Sequence, residues 1–231
     1  MAEAPIDASP GSILVRPVVA EQLGAAADLL ARGFAEEPGN MALLPDPAAR
    51  HRLMAAGARS VLRRTIPHGT VHAAMLGDEL AAIAIWEAPG VPTLTVRGAI
   101  GAVWSKLGQA PTLARALPHK LSVIAGTMRP AVGMVRARQR AVETASDGLT
   151  WHLAFLATAP EHRGRGLART LLERQLSRCD EDGAAVWLET TDPVNPPIYE
   201  RFGFTTVTHV EDAAWLPGLW VMHREPGGGV A

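Results

Sequence analysis

Between a strand-like run ending at Thr158 and a helical run beginning near Leu167 lies Glu161-His162-Arg163-Gly164-Arg165-Gly166-Leu167-Ala168. A glycine-rich turn at a helix N-terminus exposes unpaired backbone N–H groups and the positive end of the helix dipole, which suits a phosphate or pyrophosphate. Gly164 and Gly166 let the backbone approach such an anion, while Arg163 and Arg165 add charge. The same residues also fit an ordinary tight strand-to-helix loop with exposed arginines. Two rival phosphate loops fit poorly. A GxxxxGK loop needs a lysine that this segment lacks, and in a GxGxxG fingerprint Arg169 would stand at the third glycine.

Other reactive side chains read as structural. His68 and His72 are four apart but lie in a strand and loop region, without the helix that a zinc motif requires. Cys179 falls on an apolar helix face and is expected in the core. Glu37, Asp46 and Glu87 flank loops and read as solvated acids, with a pocket attractive to a cationic amine as the alternative. Arg136, Arg138 and Arg140 read as a solvated helix face.

The elements that position these residues follow from periodicity. Ile13–Val15 predicts a strand, residues 19–34 an amphipathic helix, 38–47 a proline-rich loop and 48–65 a second helix. Val71–Leu76 and Leu80–Trp86 predict a hairpin turning at Gly77-Asp78. Residues 97–145 are helix-prone but cut by Pro111, Pro118 and Pro130, so two or three short helices are expected. Trp151–Thr158 predicts a strand, and Leu167, Ala168, Leu171, Leu172, Gln175, Leu176 and Cys179 mark one helical face that ends before Gly183. Ala185–Leu188, Phe204–Val210 and Leu219–His223 predict strands, with a helical turn over Asn195–Arg201. Strand, helix and strand within one short stretch form a βαβ unit, which implies a parallel or mixed sheet. One domain over 12–224 is expected, with loose tails at 1–11 and 225–231.

Composition narrows the classes. Lys and Arg number 22 against 23 Asp and Glu, so a net charge of −1 argues against nucleic-acid binding driven by charge. A single cysteine excludes an intrachain disulfide or a cysteine-based zinc site and suits a reducing, cytoplasmic compartment. No run approaches 18 uninterrupted apolar residues, and Met1–Gly11 lacks the basic-then-apolar pattern of a signal peptide, so no membrane partner is expected.

Arg163-x-x-Gly166-x-Ala168, followed in order by Trp187-Leu188-Glu189-Thr190 and Asn195-Pro196-Pro197-Ile198-Tyr199-Glu200-Arg201-Phe202-Gly203-Phe204, resembles the GCN5-related N-acetyltransferase (GNAT) superfamily. Trp151, the Leu153-Ala154 pair, Pro160, His162 and Gly164-x-Gly166-Leu167 are similar to the puromycin N-acetyltransferase branch. The resemblance covers about residues 150–224 clearly, and 97–145 hardly at all. It implies an α/β (α+β) fold: a central mixed, mostly antiparallel sheet of about six to seven strands flanked by helices, with a splayed cofactor strand.

The resemblance also implies direct transfer of an acetyl group from acetyl-CoA, as co-substrate, to a primary amine of a small molecule, such as an antibiotic or an aminoacyl-type metabolite, without a metal. Protein N-terminal or lysine acetylation, and a non-catalytic acyl-CoA-binding module, remain alternatives. The cofactor set so implied is Leu156, Ala157 and Thr158 along the pantetheine arm, the loop residues Arg163, Gly164, Arg165, Gly166, Leu167 and Ala168, then Asn195 and Tyr199. Tyr199 occupies the family position of the acid that protonates the CoA thiolate, and a phenol near pKa 10 matches an alkyl thiolate of roughly 8.5 or higher. The base is open between Glu189, otherwise a cap or salt bridge, and His152, otherwise structural. Asn195 shares a helical face with Tyr199 and doubles as an N-cap. A monomer or homodimer is expected.

Overall fold

The computed structural model of the protein describes residues 13–43, 46–90, 150–210 and 218–229. The expected helices over 97–145 and the arginines at 136, 138 and 140 lie outside these residues. Seven strands form one sheet in the order β1-β2-β3-β4-β5-β7-β6: β1 Ile13–Pro17, β2 Val71–Leu76, β3 Glu79–Glu87, β4 Thr150–Thr158, β5 Ala185–Thr190, β6 Thr205–Val210 and β7 Leu219–Arg224. Among the described residues only β4 and β5 run parallel; every other pair is antiparallel. The mixed, mostly antiparallel sheet and its flanking helices are as expected.

The two faces of the sheet bury different helices. Helix α1 (Leu23–Gly33) and helix α3 (Pro47–Thr65) cover one face, where Leu29, Leu30 and Leu62 meet Ala73, Met75, Ile83 and Ile85. Helix α4 (Leu167–Glu181) covers the other, with Leu171, Leu172, Leu176 and Cys179 against Ala82, Ala84, Trp86 and Leu188. The alternation Ala82, Ile83, Ala84, Ile85 along β3 assigns each residue to a face by the two-residue period of a strand. Small alanines on the α4 side let that helix lie close to the sheet. Cys179 is buried, and burial pushes its thiol up to about 11, so it is core and no nucleophile.

Helix ends account for several acids. Asp46, expected in a solvated loop, caps α3 by accepting from the Ala49 amide at 2.6 Å, with Pro47 in the first turn. The loop expected over 38–47 contains helix α2 (Pro38–Leu43), because Pro38 fits a first turn and Glu37 accepts from the Asn40 amide at 2.9 Å. Gly183, at φ 64°, ends α4: its amide reaches Asp180 O at 3.3 Å and the Ala184 amide reaches Cys179 O at 2.7 Å. Helix α5 (Pro196–Glu200) is a single turn after β5.

The expected loose end at 225–229 is a turn tied to the body of the protein. Arg224 is buried and clasps Asp180 with both terminal nitrogens, at 2.7 and 2.8 Å, while its Nε donates to Phe202 O at 2.8 Å. Asp180 also accepts from the Gly227 amide at 2.7 Å, which holds the chain past the last strand. Among the described residues, no helix is long and apolar enough to cross a membrane.

Candidate active site

Strands β4 and β5 pair only from Thr150–Ala185 to Leu153–Leu188. On its other edge β4 stays paired with β3 as far as Thr158–Ala82. The register on that edge slips between Ile85 and Trp86, which leaves Ala154 without a partner on β3. A bulge adds a residue and bends the strand. Ala154 and the next residue, Phe155, consequently turn to the same side, while Leu153 and Leu156 turn to the α4 side. Past Leu153 the two parallel strands part, and Leu156, Ala157 and Thr158 present one backbone edge to the fork. Ala157 packs so closely on α1 that a Cβ at Gly33 would lie 2.9 Å from its own Cβ.

At the end of β4 the chain makes a short 3₁₀ turn, Pro160–His162, and enters the glycine loop. Gly164 and Gly166 have φ values of 77° and 79°, the left-handed region that favours glycine, and Gly166 is the residue before α4. A Cβ at either would meet nothing within 4 Å, so the space beside this backbone is open. The first amide to bond back into the helix is Thr170, to Gly166 O at 2.9 Å, which leaves the amides of Leu167, Ala168 and Arg169 without intrahelical acceptors. Arg163 and Arg165 are exposed. Arg163 Nη2 donates to Gly33 O at 3.4 Å and Arg165 Nη1 lies 3.3 Å from His162 Nδ1. Open backbone, free amides and two cations fit a diphosphate.

On the face opposite α4, three strands contribute to one row of side chains. Glu87 of β3 is the cross-strand partner of His152, and His152 that of Trp187. The imidazole stacks on the Trp187 indole with centroids 3.8 Å apart and planes 10° from parallel. Glu189 follows two residues after Trp187 and so returns to the same face. His152 Nδ1 lies 2.7 Å from Glu87 Oε2, and Nε2 lies 2.7 Å from Glu189 Oε2. Side-chain exposure is 6% for His152, 5% for Glu87 and 25% for Glu189, so of the three only the last is partly open to solvent. Burial opposes charge on the ring, yet Glu189 and then Glu87 outweigh it and raise the His152 pKa above its ordinary value.

Glu87 is thus no solvated loop acid. Strand β3 runs one residue past Trp86, and the carboxylate is buried against His152. Sequence reasoning missed it because Ala88-Pro89 directly follows and suggests a loop; only the cross-strand register pairs it with a histidine 65 positions away. Glu37 is also placed by tertiary contact, accepting a hydrogen bond from Thr191 Oγ1 just beyond β5.

Tyr199 lies on the other face. Its ring packs with the α4-side core and meets Phe204 edge-on, centroids 5.8 Å apart. Burial pushes the phenol up to about 12. The hydroxyl therefore stays protonated at neutral pH, but it releases its proton to a thiolate less readily than the ordinary value near 10 implied. Asn195 precedes α5 without capping it through its side chain; Nδ2 donates to Thr190 Oγ1 at 2.8 Å and ties the Tyr199 turn to the end of β5. His72 is buried in β2 and lowered to about 4 by burial, then by Arg178 and Arg174. Among the described residues, no group of three or more His, Cys, Asp or Glu is arranged to hold a metal ion.

Among the described residues, the sheet is mixed and its one parallel pair opens into a fork beside a glycine loop and a helix N-terminus. The family model described as Acetyltransferase (GNAT) domain matches residues 91–219, and the chain belongs to that family. Over 83 residues it is 34% identical to an uncharacterized N-acetyltransferase of Schizosaccharomyces pombe, covering 35% of this chain and 33% of the relative. Over 78 residues it is 35% identical to the uncharacterized N-acetyltransferase YhbS of Escherichia coli K12, covering 33% and 45%. These matches thus span less than half the length of either relative. The fold is similar to a histone acetyltransferase HPA2 and related acetyltransferase of Corynebacterium glutamicum, at TM-score 0.59 and 20% identity over 94% of this chain and 97% of that one. It is also similar to arylalkylamine N-acetyltransferase 2 of Aedes aegypti, at TM-score 0.60 and 14% identity over 93% and 99%.

Proposed function

We propose that the protein transfers the acetyl group of acetyl-CoA to the primary amine of a small molecule. The observation that carries this reading is the fork itself: β4 and β5 part at Leu153 and Leu188, one arm runs into the glycine loop and the other carries Glu189 next to its last residue, Thr190. Acetyl-CoA supplies the activated thioester. Gly164 to Ala168 and the two loop arginines hold its diphosphate, and the unpaired edge of Leu156, Ala157 and Thr158 orders the arm that leads to the fork.

Glu189, the carboxylate open to the fork, accepts the proton that the acceptor ammonium must lose before its nitrogen can attack. A C–N bond then forms, the C–S bond breaks, and the second proton that the nitrogen sheds ends on the departing sulfur as the CoA thiol. Tyr199, approached from the α4 side, donates a hydrogen bond to the sulfur as negative charge develops there. With a phenol lifted to about 12, stabilisation of the thiolate precedes complete proton transfer. Asn195 acts by holding the α5 turn against Thr190.

The test is thiol release from acetyl-CoA across a panel of amines: puromycin, tryptamine, agmatine, a peptide with a free N-terminus and a lysine peptide. Puromycin belongs there because of the pattern of Trp151, Leu153-Ala154, Pro160 and His162; the amines reflect fold relatives named for arylalkylamines and agmatine. Release with small amines and not with peptides is expected. Heat stabilisation by acetyl-CoA without release for any amine would replace this reading by a non-catalytic acyl-CoA-binding module.

A further inference from the structure

The row Glu87–His152–Glu189 contains more chemistry than one base requires. A carboxylate oxygen only accepts, and a neutral imidazole has a single N–H. With both ring nitrogens 2.7 Å from carboxylate oxygens, the three groups hold one proton beyond a neutral ring and two carboxylates. Imidazole binds a proton more tightly than a carboxylate by about two pKa units in water, so that proton belongs on nitrogen. The charged groups that face the ring are Glu87 from β3 and Glu189 from β5, while Trp187 closes one ring face with an apolar surface.

We propose that Glu87 and His152 are positioning residues for Glu189: the imidazolium bridges the two carboxylates, engages Oε2 of Glu189 and leaves Oε1 of that residue to receive the acceptor's proton at the fork. This inference rests on the acyltransferase reading for its purpose, but the bridge itself can be measured without turnover. The bridge fixes the end of β5 to β3, two strands away across β4, so the base is held by two other strands and not by its own rotamer alone. Its single net negative charge also suits a cationic acceptor. The chain spends a buried acid, Glu87, on a histidine that never reaches the opening. A lone Glu189 would need neither. When His152 loses its second proton, the ring can donate to only one carboxylate, and the constraint on Glu189 is released.

Nitrogen-15 NMR of the imidazoles in the full-length protein tests this, with the His152 signal assigned by its loss in His152→Gln. Both nitrogens of His152 are expected to be protonated at pH 7.5, and Glu87→Gln is expected to lower its titration midpoint by about one unit or more. A His152 that is neutral at pH 7.5 in the wild type overturns the proposal, whatever the activity. With the most active amine of the panel, Glu87→Gln should lower kcat about tenfold or more while the KM for acetyl-CoA holds. The basic limb of its pH profile should move to lower pH, and Glu87→Asp should recover part of the rate. A uniform loss with an unshifted limb would show a merely structural role and also overturn it. If no amine is acetylated, the acyltransferase reading fails, and the NMR result alone decides the bridge.

Discussion

The two faces of the sheet at the fork are built from opposite materials. On the α4 side, Leu153, Leu156, Leu188, Phe204 and the Tyr199 ring make an apolar wall, and its polar equipment is the open amides and left-handed glycines of the loop, flanked by Arg163 and Arg165. On the other side, three strands bring two carboxylates and an imidazole into contact, with one carboxylate partly open. Backbone donors suit an anion that is the same in every reaction cycle, because they need no particular side chain beyond glycine. Side-chain charge suits a proton that must move. Under the proposed function, the α4 side is thus a donor face that holds and the other side an acceptor face that reacts, across the gap between β4 and β5.

That contrast can be broken from either side. The largest effect is expected for Glu189→Gln, which should lower kcat by about 10³-fold with acetyl-CoA binding preserved; steady-state kinetics and calorimetry separate the two. Loss of acetyl-CoA binding instead would mean that the acceptor face also holds the donor. Tyr199→Phe should cost about 10²-fold in kcat, again with little change in acetyl-CoA affinity. An unchanged rate would remove the tyrosine from the chemistry.

Gly166→Val should act through binding. A β-branched residue at φ 79° costs about 1–2 kcal/mol, which corresponds to about tenfold in acetyl-CoA affinity if the loop relaxes away from its bound shape. Its kcat at saturating acetyl-CoA should be nearly normal, and a large fall in kcat would blur the division between the faces.

The smallest effect is on stability. Because the folded pKa of His152 is raised, its contribution is fully present below the unfolded value near 6.5 and is lost as pH rises through the folded value. The Tm should therefore decline by a few degrees on the alkaline side, about 2–4 °C for each 1 kcal/mol lost, and His152→Gln should flatten that decline. A decline that persists in the variant would assign it to other groups.

The donor face was legible residue by residue because its information is local. Glycines two apart, a helical apolar stripe from Leu167 to Cys179 and a stop at Gly183 are contiguous in the chain, and all three appear where the spacing placed them. Asp46 and the α2 helix were less legible, since proline begins helices as well as ending them. The acceptor face was legible only in part. Glu189 and His152 could be singled out by type and position, but neither could be given a role, because Glu87 looked like a loop acid.

By itself the sequence determined the strand and helix periods, the anion-ready loop and the ordered motif string that leads to Tyr199. Those features depend on spacings of two to four residues, which the backbone geometry of strands and helices converts directly into faces. Only the tertiary structure decided that β4 bulges at Ala154 and parts from β5, that Tyr199 and Glu189 stand on opposite faces, and that one histidine joins acids from two other strands. The reason is register. A one-residue slip between strands reverses every side chain, and register is set by the packing of the whole sheet, not by the residues that use it.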